Sequence, residues 1–362
     1  MMIEVNGVQY DGFVSANCQI NLDSLSNEFS FEAVMTDDQE LPFKGGDACK
    51  IVVDGEVVLT GNIEIIEDSG DAESHAVTIS GRDKTADLLD STLGAMPDIR
   101  GEELSLKVII ENVISYLELD IKVIDEVGPP LFTSAEDLAA PEPGDNAFEF
   151  INKYSEKRQV LLTSNSDGNI VIATNSGVNS DGVVQYIRGA SDNNTLEYSY
   201  RYDTTKRFNS YDVSSGLNLV ALNNAGDTDP AAVVNQGGGV FDKEIRPGRR
   251  LTILSRSPLS STECTKRAFW EAVVRKARGL AYFAKVPLFR IDGGKGELWS
   301  VNKIYQIVNS SVGKIEPMLC NTVSFSYDAD IGSITSLGFV GQNAYTLSLE
   351  TGAQVEVAKN VT

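Results

Sequence analysis

The stretch FKGGDACKIVVDGEVVLTGNIEIIEDSGDAESHAVTISGRDKTADLL, Phe43 to Leu89, decides how the rest of the chain is read. Two apolar runs, Ile51-Val52-Val53 and Val57-Val58-Leu59, flank Asp54-Gly55. That dipeptide accepts the positive φ angles of a two-residue type I′ turn, so a tight β-hairpin is expected. Gly61 is expected to end it, with Ile63-Glu64-Ile65 continuing extended and Ser69-Gly70-Asp71 turning back. His75, Val77 and Ile79 alternate with Ala76, Thr78 and Ser80, the period of a half-buried strand. Gly81 closes that strand, and Asp83 is placed to cap a short helix whose Leu88 and Leu89 plug the end of the sheet. The expected unit is a small, strongly curved antiparallel barrel.

Upstream, Asn6-Gly7 lies among Ile3, Val5, Val8 and Tyr10 as a second tight hairpin, and Ser15–Leu22 and Glu28–Met35 alternate as strands. Together these supply about the number of short strands that a small barrel needs to close. The first domain is expected over 1–92.

Downstream, Leu93 to Arg100 reads as a linker. Ser105 caps a helix carrying Ile109, Ile110, Val113, Ile114 and Leu117 at helical spacing, and a short strand is expected over Glu118–Val123. An acidic, proline-bearing loop spans Glu126 to Asp145. A helix from Ala147 to Lys157, with Phe148, Ile151 and Tyr154 on one face, precedes a hairpin, Val160–Thr163 and Ile170–Ala173, turning at Ser166-Asp167-Gly168-Asn169. These make an α+β module over 93–194. The Asn-, Ser-, Gly- and Asp-rich stretch from Ser176 to Gly239 reads mostly as loop, with strands at Leu196–Tyr202 and Tyr211–Val213. A helix is expected over 262–284, striped by Phe269, Ala272, Val273, Ala277 and Leu280 and widened by Trp270, Val274 and Ala281. Strands follow after Asn302, at Met318–Tyr327 and at Ile334–Phe339. The predicted fold is β-rich α+β, with two small antiparallel tube-like β-barrels at 1–92 and 195–345, the intervening α+β module, and a tail at 346–362.

Charge and composition narrow the function. With 52 acidic against 30 basic residues the formal charge is −22. Such a surface disfavours sequence-specific nucleic-acid binding. It serves solubility, or a passage whose wall lets nucleic acid slide without sticking. No apolar run is long enough to span a bilayer. Met1-Met2-Ile3-Glu4-Val5 lacks a basic region followed by an apolar one, so no signal peptide is expected, and folding in a cytoplasm is. Cys18, Cys49, Cys264 and Cys320 are widely spaced and His75 is the sole histidine, which predicts buried thiols and no zinc site.

No catalytic, cofactor-binding or metal-ligating set emerges. His75 sits on a strand face without a triad partner network, and Asp167-Gly168 and Asp227-Thr228-Asp229 lack the ligand spacing of a calcium loop. Gly237-Gly238-Gly239 is followed by no Lys-Ser/Thr and is not a phosphate loop. Carboxylate pairs for glycoside hydrolysis stay open, because sequence does not give their separation. Two residue sets are candidate subunit-interface groups. Tyr198, Tyr200 and Tyr202 share a strand face by their spacing of two, serving packing, an interface or stacking on a ligand. Lys266, Arg267, Arg275, Lys276 and Arg278 make the 262–284 helix the most basic element, as a solvated face or for docking on an acidic neighbour.

The order of features in the first domain, Gly46-Asp47, Gly61, then Gly81-Arg82-Asp83 with Leu88-Leu89, resembles the baseplate hub proteins of Mu-like contractile-tailed phages, within the T4-type tail hub and late-control superfamily. A second match is the helix Arg267-Ala268-Phe269-Trp270-Glu271 leading to Leu298-Trp299 and Asn302. The resemblance implies a structural virion protein without enzymatic activity, assembled in the bacterial cytoplasm. It also implies a homotrimer whose paired barrels form a pseudo-sixfold ring joining the hexameric tail tube to the trimeric spike among other baseplate proteins. DNA would pass through its channel without specific binding, and the chain would not insert in a membrane. Two alternatives remain. One is the hub of a secretion-type puncturing device, against which the lack of a glycine-rich β-helical repeat argues. The other is a β-rich glycan-binding or glycan-degrading module stacking sugars on Tyr198, Tyr200, Tyr202 and Trp299.

Overall fold

The computed structural model describes residues 1–34, 42–70, 75–96, 104–132, 140–158, 160–215, 236–255, 261–313 and 315–345. Positions 216–235 of the stretch read mostly as loop, which include Asp227-Thr228-Asp229, part of the acidic loop before Asp145, and the tail from 346 lie outside the described residues.

In the first domain, β1 (Met2–Val5) and β2 (Val8–Tyr10) turn at Asn6-Gly7, with φ of 52° and 79°. After β3 (Ser15–Asn21) and β4 (Glu28–Val34), β5 (Ala48–Val53) and β6 (Glu56–Gly70) turn at Asp54-Gly55, with φ of 46° and 84°. Both are the left-handed pairs that a type I′ turn requires. Gly61 does not end the hairpin, contrary to expectation: β6 runs through it and pairs along its length with β7 (His75–Asp83). A Cβ at Gly61 would lie 1.9 Å from the Arg82 carbonyl oxygen, and one at Gly81 would lie 2.0 Å from that of Asn62. These glycines therefore let the two strands close on one another, next to a register shift between Ile63 and Ile65 that bends the ladder. Phe29, Phe31, Cys18, Ile51, Leu59, Ile63, Val77 and Ile79 pack on one side as the core.

The α+β module is α2 (Leu106–Tyr116), β8 (Val123–Asp125), α3 (Ala147–Arg158), β9 (Leu161–Ser164) and β10 (Ile170–Ala173), preceded by the short α1 (Ala86–Asp90). The Ser105 side chain accepts from the Val108 N–H, as a cap should. Leu106, Ile109, Ile110, Val113 and Ile114 are buried. The strand expected at 118–123 begins later, because Glu118 takes φ 56° and turns the chain out of α2. On α3 Ile151 and Tyr154 are buried as expected, and Phe150 joins them in place of Phe148. Thr85, not Asp83, precedes α1.

Beyond the module, β11 (Asn179–Tyr186) and β12 (Glu197–Tyr202) emerge from the polar stretch. Later strands are β16 (Leu280–Pro287), β17 (Ile304–Asn309), β18 (Met318–Asp328) and β19 (Gly332–Gly341). They join the first-domain strands in one sheet ordered β12-β16-β19-β18-β3-β4-β7-β6-β5-β1-β2, with β17 on β18 and β11 parallel to β17. The seam is β3 against β18, from Ser15↔Asp328 to Asn21↔Thr322. Two separate closed barrels are thus not what the described hydrogen-bond ladder forms: it is open, with β2 and β12 at the ends of its main path and β11 at the end of its branch.

By internal contacts the chain divides into Met1–Tyr200 with Tyr282–Phe339, and Arg201–Ala281 with Val340 onward. In the second unit β13 (Ser210–Ser215) lies between β14 (Gln236–Phe241), antiparallel, and β15 (Arg250–Ser255), parallel. Helix α4 (Ser261–Arg278) packs on this sheet over Tyr211, Val213, Cys264 and Ala268. The glycine run at 237–239, read as loop, is a strand: a Cβ at Gly238 would meet the Thr265 hydroxyl oxygen at 2.2 Å, so bare backbone is what admits the helix. Helix α4 stops at Arg278, short of the expected Ala284, because Leu280 onward continues as β16 with Tyr282, Ala284 and Val286 buried on alternate positions. The helix buries Cys264, Ala268, Glu271, Val274 and Ala277, while Phe269, Ala272 and Val273 are only half-buried.

Candidate assembly surfaces

A buried carboxylate fixes the first domain to the α+β module. Asp83, at the end of β7, is 2% exposed. It accepts hydrogen bonds from the Asn27 N–H at 3.0 Å, the Thr85 hydroxyl at 2.6 Å and the Ser164 hydroxyl of β9 at 2.5 Å. The Asn27 amide also donates to Ser164, at 2.8 Å. Burial pushes the Asp83 carboxyl above its ordinary range, against the pull of these donors. Nearby, the Thr60 hydroxyl donates to the Ser166 carbonyl at 2.7 Å, and Gly168, φ 72°, lets its turn lie against Thr60 and Lys84. The module is thereby held to a strand end whose position the curved hairpin sets.

The three tyrosines of β12 divide by environment. Tyr198 is half-buried, its ring 6.1 Å from that of Tyr282 and nearly parallel at 6°. Tyr200 and Tyr202 are exposed, and β12 is an edge strand, with Leu196 beside it 60% exposed. An uncovered edge with exposed tyrosines can take another strand or an apolar rim. The Tyr202 hydroxyl accepts from Arg207 at 2.6 Å. Arg207 is 0% exposed and donates to Asp242 at 2.7 and 3.1 Å and to Glu244 at 2.7 Å. Its charge is thus matched inside the fold. Nothing in its local sequence marked Arg207, since its acids lie more than thirty positions away and only the sheet brings them together.

Most of the basic residues of α4 are engaged within their own unit. Arg267 and Arg275 both donate to Glu271 at 3.0 Å, Lys276 to Glu244 at 2.5 Å, and Arg278 to the Ala344 carbonyl at 3.2 Å. Lys276 and Arg207 hold the Glu244 carboxyl below its ordinary range. Lys266 is half-buried on the same helix. These charges hold the unit together before any is offered to a partner.

Side chains considered for chemistry are used structurally. His75 faces Asp68 at 2.8 Å across the β6–β7 hairpin. Trp299 is 3% exposed and packs at 5.3 Å on Tyr305, so it is not available to stack on a sugar. Asn302, with φ 60°, donates to the Thr174 carbonyl and accepts from the Ser176 N–H, both at 3.0 Å, tying the approach to β17 to the chain leaving the module. All four cysteines are buried, and burial pushes Cys49 up to about 12. Among the described residues no group of His, Cys, Asp and Glu has the arrangement to hold a metal ion, and no helix is long and apolar enough to cross a membrane.

Residues 1–83 match the family described as Mu phage baseplate assembly protein GpP-like, N-terminal, and residues 85–174 match the second domain of the baseplate hub protein gp44-like family. Over 354 residues, 96% of this chain and 89% of the relative, the sequence is 22% identical to the baseplate hub protein gp44 of Escherichia phage Mu. The fold matches a 43 kDa tail protein of prophage MuSo2 from Shewanella oneidensis, with a TM-score of 0.79, 25% identity, and 96% of this chain and 99% of that one covered. It also matches, with a TM-score of 0.55 and 9% identity, an E. coli component of the type VI secretion system, covering 94% of this chain and 76% of that one.

Proposed function

We propose, for a chain whose residues 1–83 and 85–174 belong to the leading domain families of Mu-type baseplate hubs, that the protein is the central hub of a contractile phage tail's baseplate. The observation that carries this reading is the two domain matches in order, continued by similarity to a Mu hub over 96% of the chain. The role is mechanical, with no bond made or broken, in a virion component assembled in the host cytoplasm.

Three copies form the ring. The described ladder of one chain ends at β2 and β12 and, on its branch through β17, at β11, and an open edge is a liability until something covers it. A heterologous contact between unlike edges closes into a ring when the rotation is right. Each copy contributes two β units, the first-domain strands and the β16–β19 group, so that three copies present six similar parts to a hexameric tube and three to a trimeric spike. The bore is left open, and DNA passes it without specific binding.

The test is mass in solution by native mass spectrometry, with and without the spike protein, together with images of the particles. A trimer with an open centre is expected. A chain that stays monomeric at high concentration and forms no ring with spike present overturns the reading. A second reading, the hub of a secretion-type puncturing device, is favoured by the fold shared with the secretion component. Recovery of the chain from purified virions decides between them.

A further inference from the structure

The negative charge of the chain is unevenly shared. Arg201–Ala281 with Val340 onward carries 14 basic and 10 acidic residues, a net of +4, against 16 basic and 42 acidic in the remainder. Within that unit Arg207, Arg267, Arg275 and Lys276 are engaged with acids of the same unit. Four other cations are not. Lys206, Lys243, Arg246 and Arg250 are exposed, and among the described residues their side chains make no hydrogen bond or ion pair.

The strand registers bring these four to one end of the three-stranded sheet. Ser210, where β13 starts, lies opposite both Phe241, where β14 ends, and Arg250, where β15 starts. Lys206 comes just before β13, and Lys243 and Arg246 lie on the connection from β14 into β15. Helix α4 covers the face that carries Tyr211, Val213 and Val240. Phe241 follows Val240 on the strand and so stands on the opposite face, 63% exposed, in one row with Ser210 and Arg250. Tyr202, 52% exposed, is tied to the same end through its hydroxyl, which accepts from Arg207. The acids nearby are already matched: Asp203 by Arg201, Asp242 by Arg207, and Glu244 by Arg207 and Lys276. What is left at this end is a cationic surface with aromatic rings among the charges.

We infer that this end of the β14–β13–β15 sheet docks an acidic segment of another protein, which brings carboxylates to Lys206, Lys243, Arg246 and Arg250 and an apolar side chain to Phe241. Exposed arginine beside exposed aromatic rings is the pairing that protein interfaces concentrate. Unmatched cations draw in a partner of opposite charge and fix its register. A nucleic acid fits less well, because about four phosphate contacts give weak, sequence-blind binding and leave Phe241 unused. The surface lies on a different sheet from the edges β2, β11 and β12, so it adds a contact that does not depend on the hub reading.

The test uses the full chain and a labelled synthetic peptide of repeated Glu-Glu-Leu, read by fluorescence anisotropy at about 0.15 M salt, where the screening length is about 8 Å. A Lys-Lys-Leu peptide, single- and double-stranded oligonucleotides of equal charge, and phosphatidylglycerol vesicles are run beside it. The acidic peptide is expected to bind at least about tenfold more tightly than either oligonucleotide, and Arg246→Glu combined with Arg250→Glu to weaken it at least about tenfold. Phe241→Ser is expected to weaken the peptide and leave the oligonucleotides unchanged. Both variants alter exposed side chains, and unchanged melting temperatures show that they fold. Oligonucleotides or vesicles binding as tightly as the acidic peptide would overturn the inference, as would peptide binding that survives the charge reversal. A change of native mass in the charge-reversed variant would make the surface a contact between copies and overturn it equally.

Discussion

Replacing Asp83 by alanine removes the acceptor on which three donors from separate segments converge. The Thr85 hydroxyl keeps a second acceptor, the Leu25 carbonyl at 2.6 Å. The Asn27 N–H and the Ser164 hydroxyl hydrogen are left buried without one. At about 1–3 kcal/mol for each orphaned donor, Asp83→Ala should cost about 2–5 kcal/mol of stability. Chemical denaturation of the full chain measures this. Ser164→Ala and the double variant complete a cycle in which a coupling of about 1 kcal/mol or more is expected for direct partners. Asp83→Asn adds a pH dimension. Because burial raises the carboxyl above its unfolded value, the protonated form favours the fold. The wild-type contribution is therefore full below the ordinary carboxylate pKa of about 3.9 and is lost as pH rises through the raised value. The asparagine variant has no such decline, so the stability gap between the two should narrow as pH rises. An Asp83→Ala loss below about 0.5 kcal/mol, the usual scale of an unremarkable surface change, would refute the orphaned-donor argument. A gap that widens with pH would refute the dominance of burial.

Gly61→Ala and Gly81→Ala should each destabilise by about 3 kcal/mol, since the added methyl meets backbone rather than a movable side chain, and a melting temperature indistinguishable from wild type would contradict this. Arg207→Ala leaves Asp242 buried without its partner and should cost about 3–5 kcal/mol by urea denaturation. Glu244, held low by Lys276 and Arg207, contributes stability that is present above its unfolded pKa and lost as pH falls through the lowered value. Glu244→Gln should accordingly flatten the acid limb of the stability profile, which a series of melts at descending pH would read. Trp299→Ala should lower stability by about 3–5 kcal/mol as a core truncation while leaving any retention on glycan columns unchanged, and retention lost in a still-folded variant would revive the sugar-stacking role.

Local chemistry carried far in the sequence. Asp54-Gly55 and Asn6-Gly7 turn where the dipeptides require, because only residues tolerant of positive φ close a two-residue hairpin. Ser105 caps its helix, and Ile109, Ile110, Val113 and Ile114 face inward, as a period near 3.6 dictates. The order of hub features was legible for the same reason, being made of turns, glycines and caps that act within a few residues. Readings that depended on neighbours distant in the chain went astray. Gly61 looks like a terminator until β7 is seen lying against it. Asp83 looks like a helix cap until Ser164 arrives from more than eighty positions away. Leu280 and Ala281 extend the apolar stripe of α4 and so predict a helix to Ala284, and only the place reserved for β16 in the sheet draws that segment straight.

The amino-acid order by itself determined the two tight hairpin turns, the Ser105 cap and the apolar face of α2, since these follow from the φ, ψ and side-chain preferences of adjacent residues. Tertiary structure alone decided that β3 pairs with β18 across some three hundred positions, that the described strand ladder ends at β2, β12 and β11, and that Arg207 is buried among acids. Strand pairing and charge burial depend on partners whose separation along the chain carries no local signal, and so neither could be read before the fold was assembled.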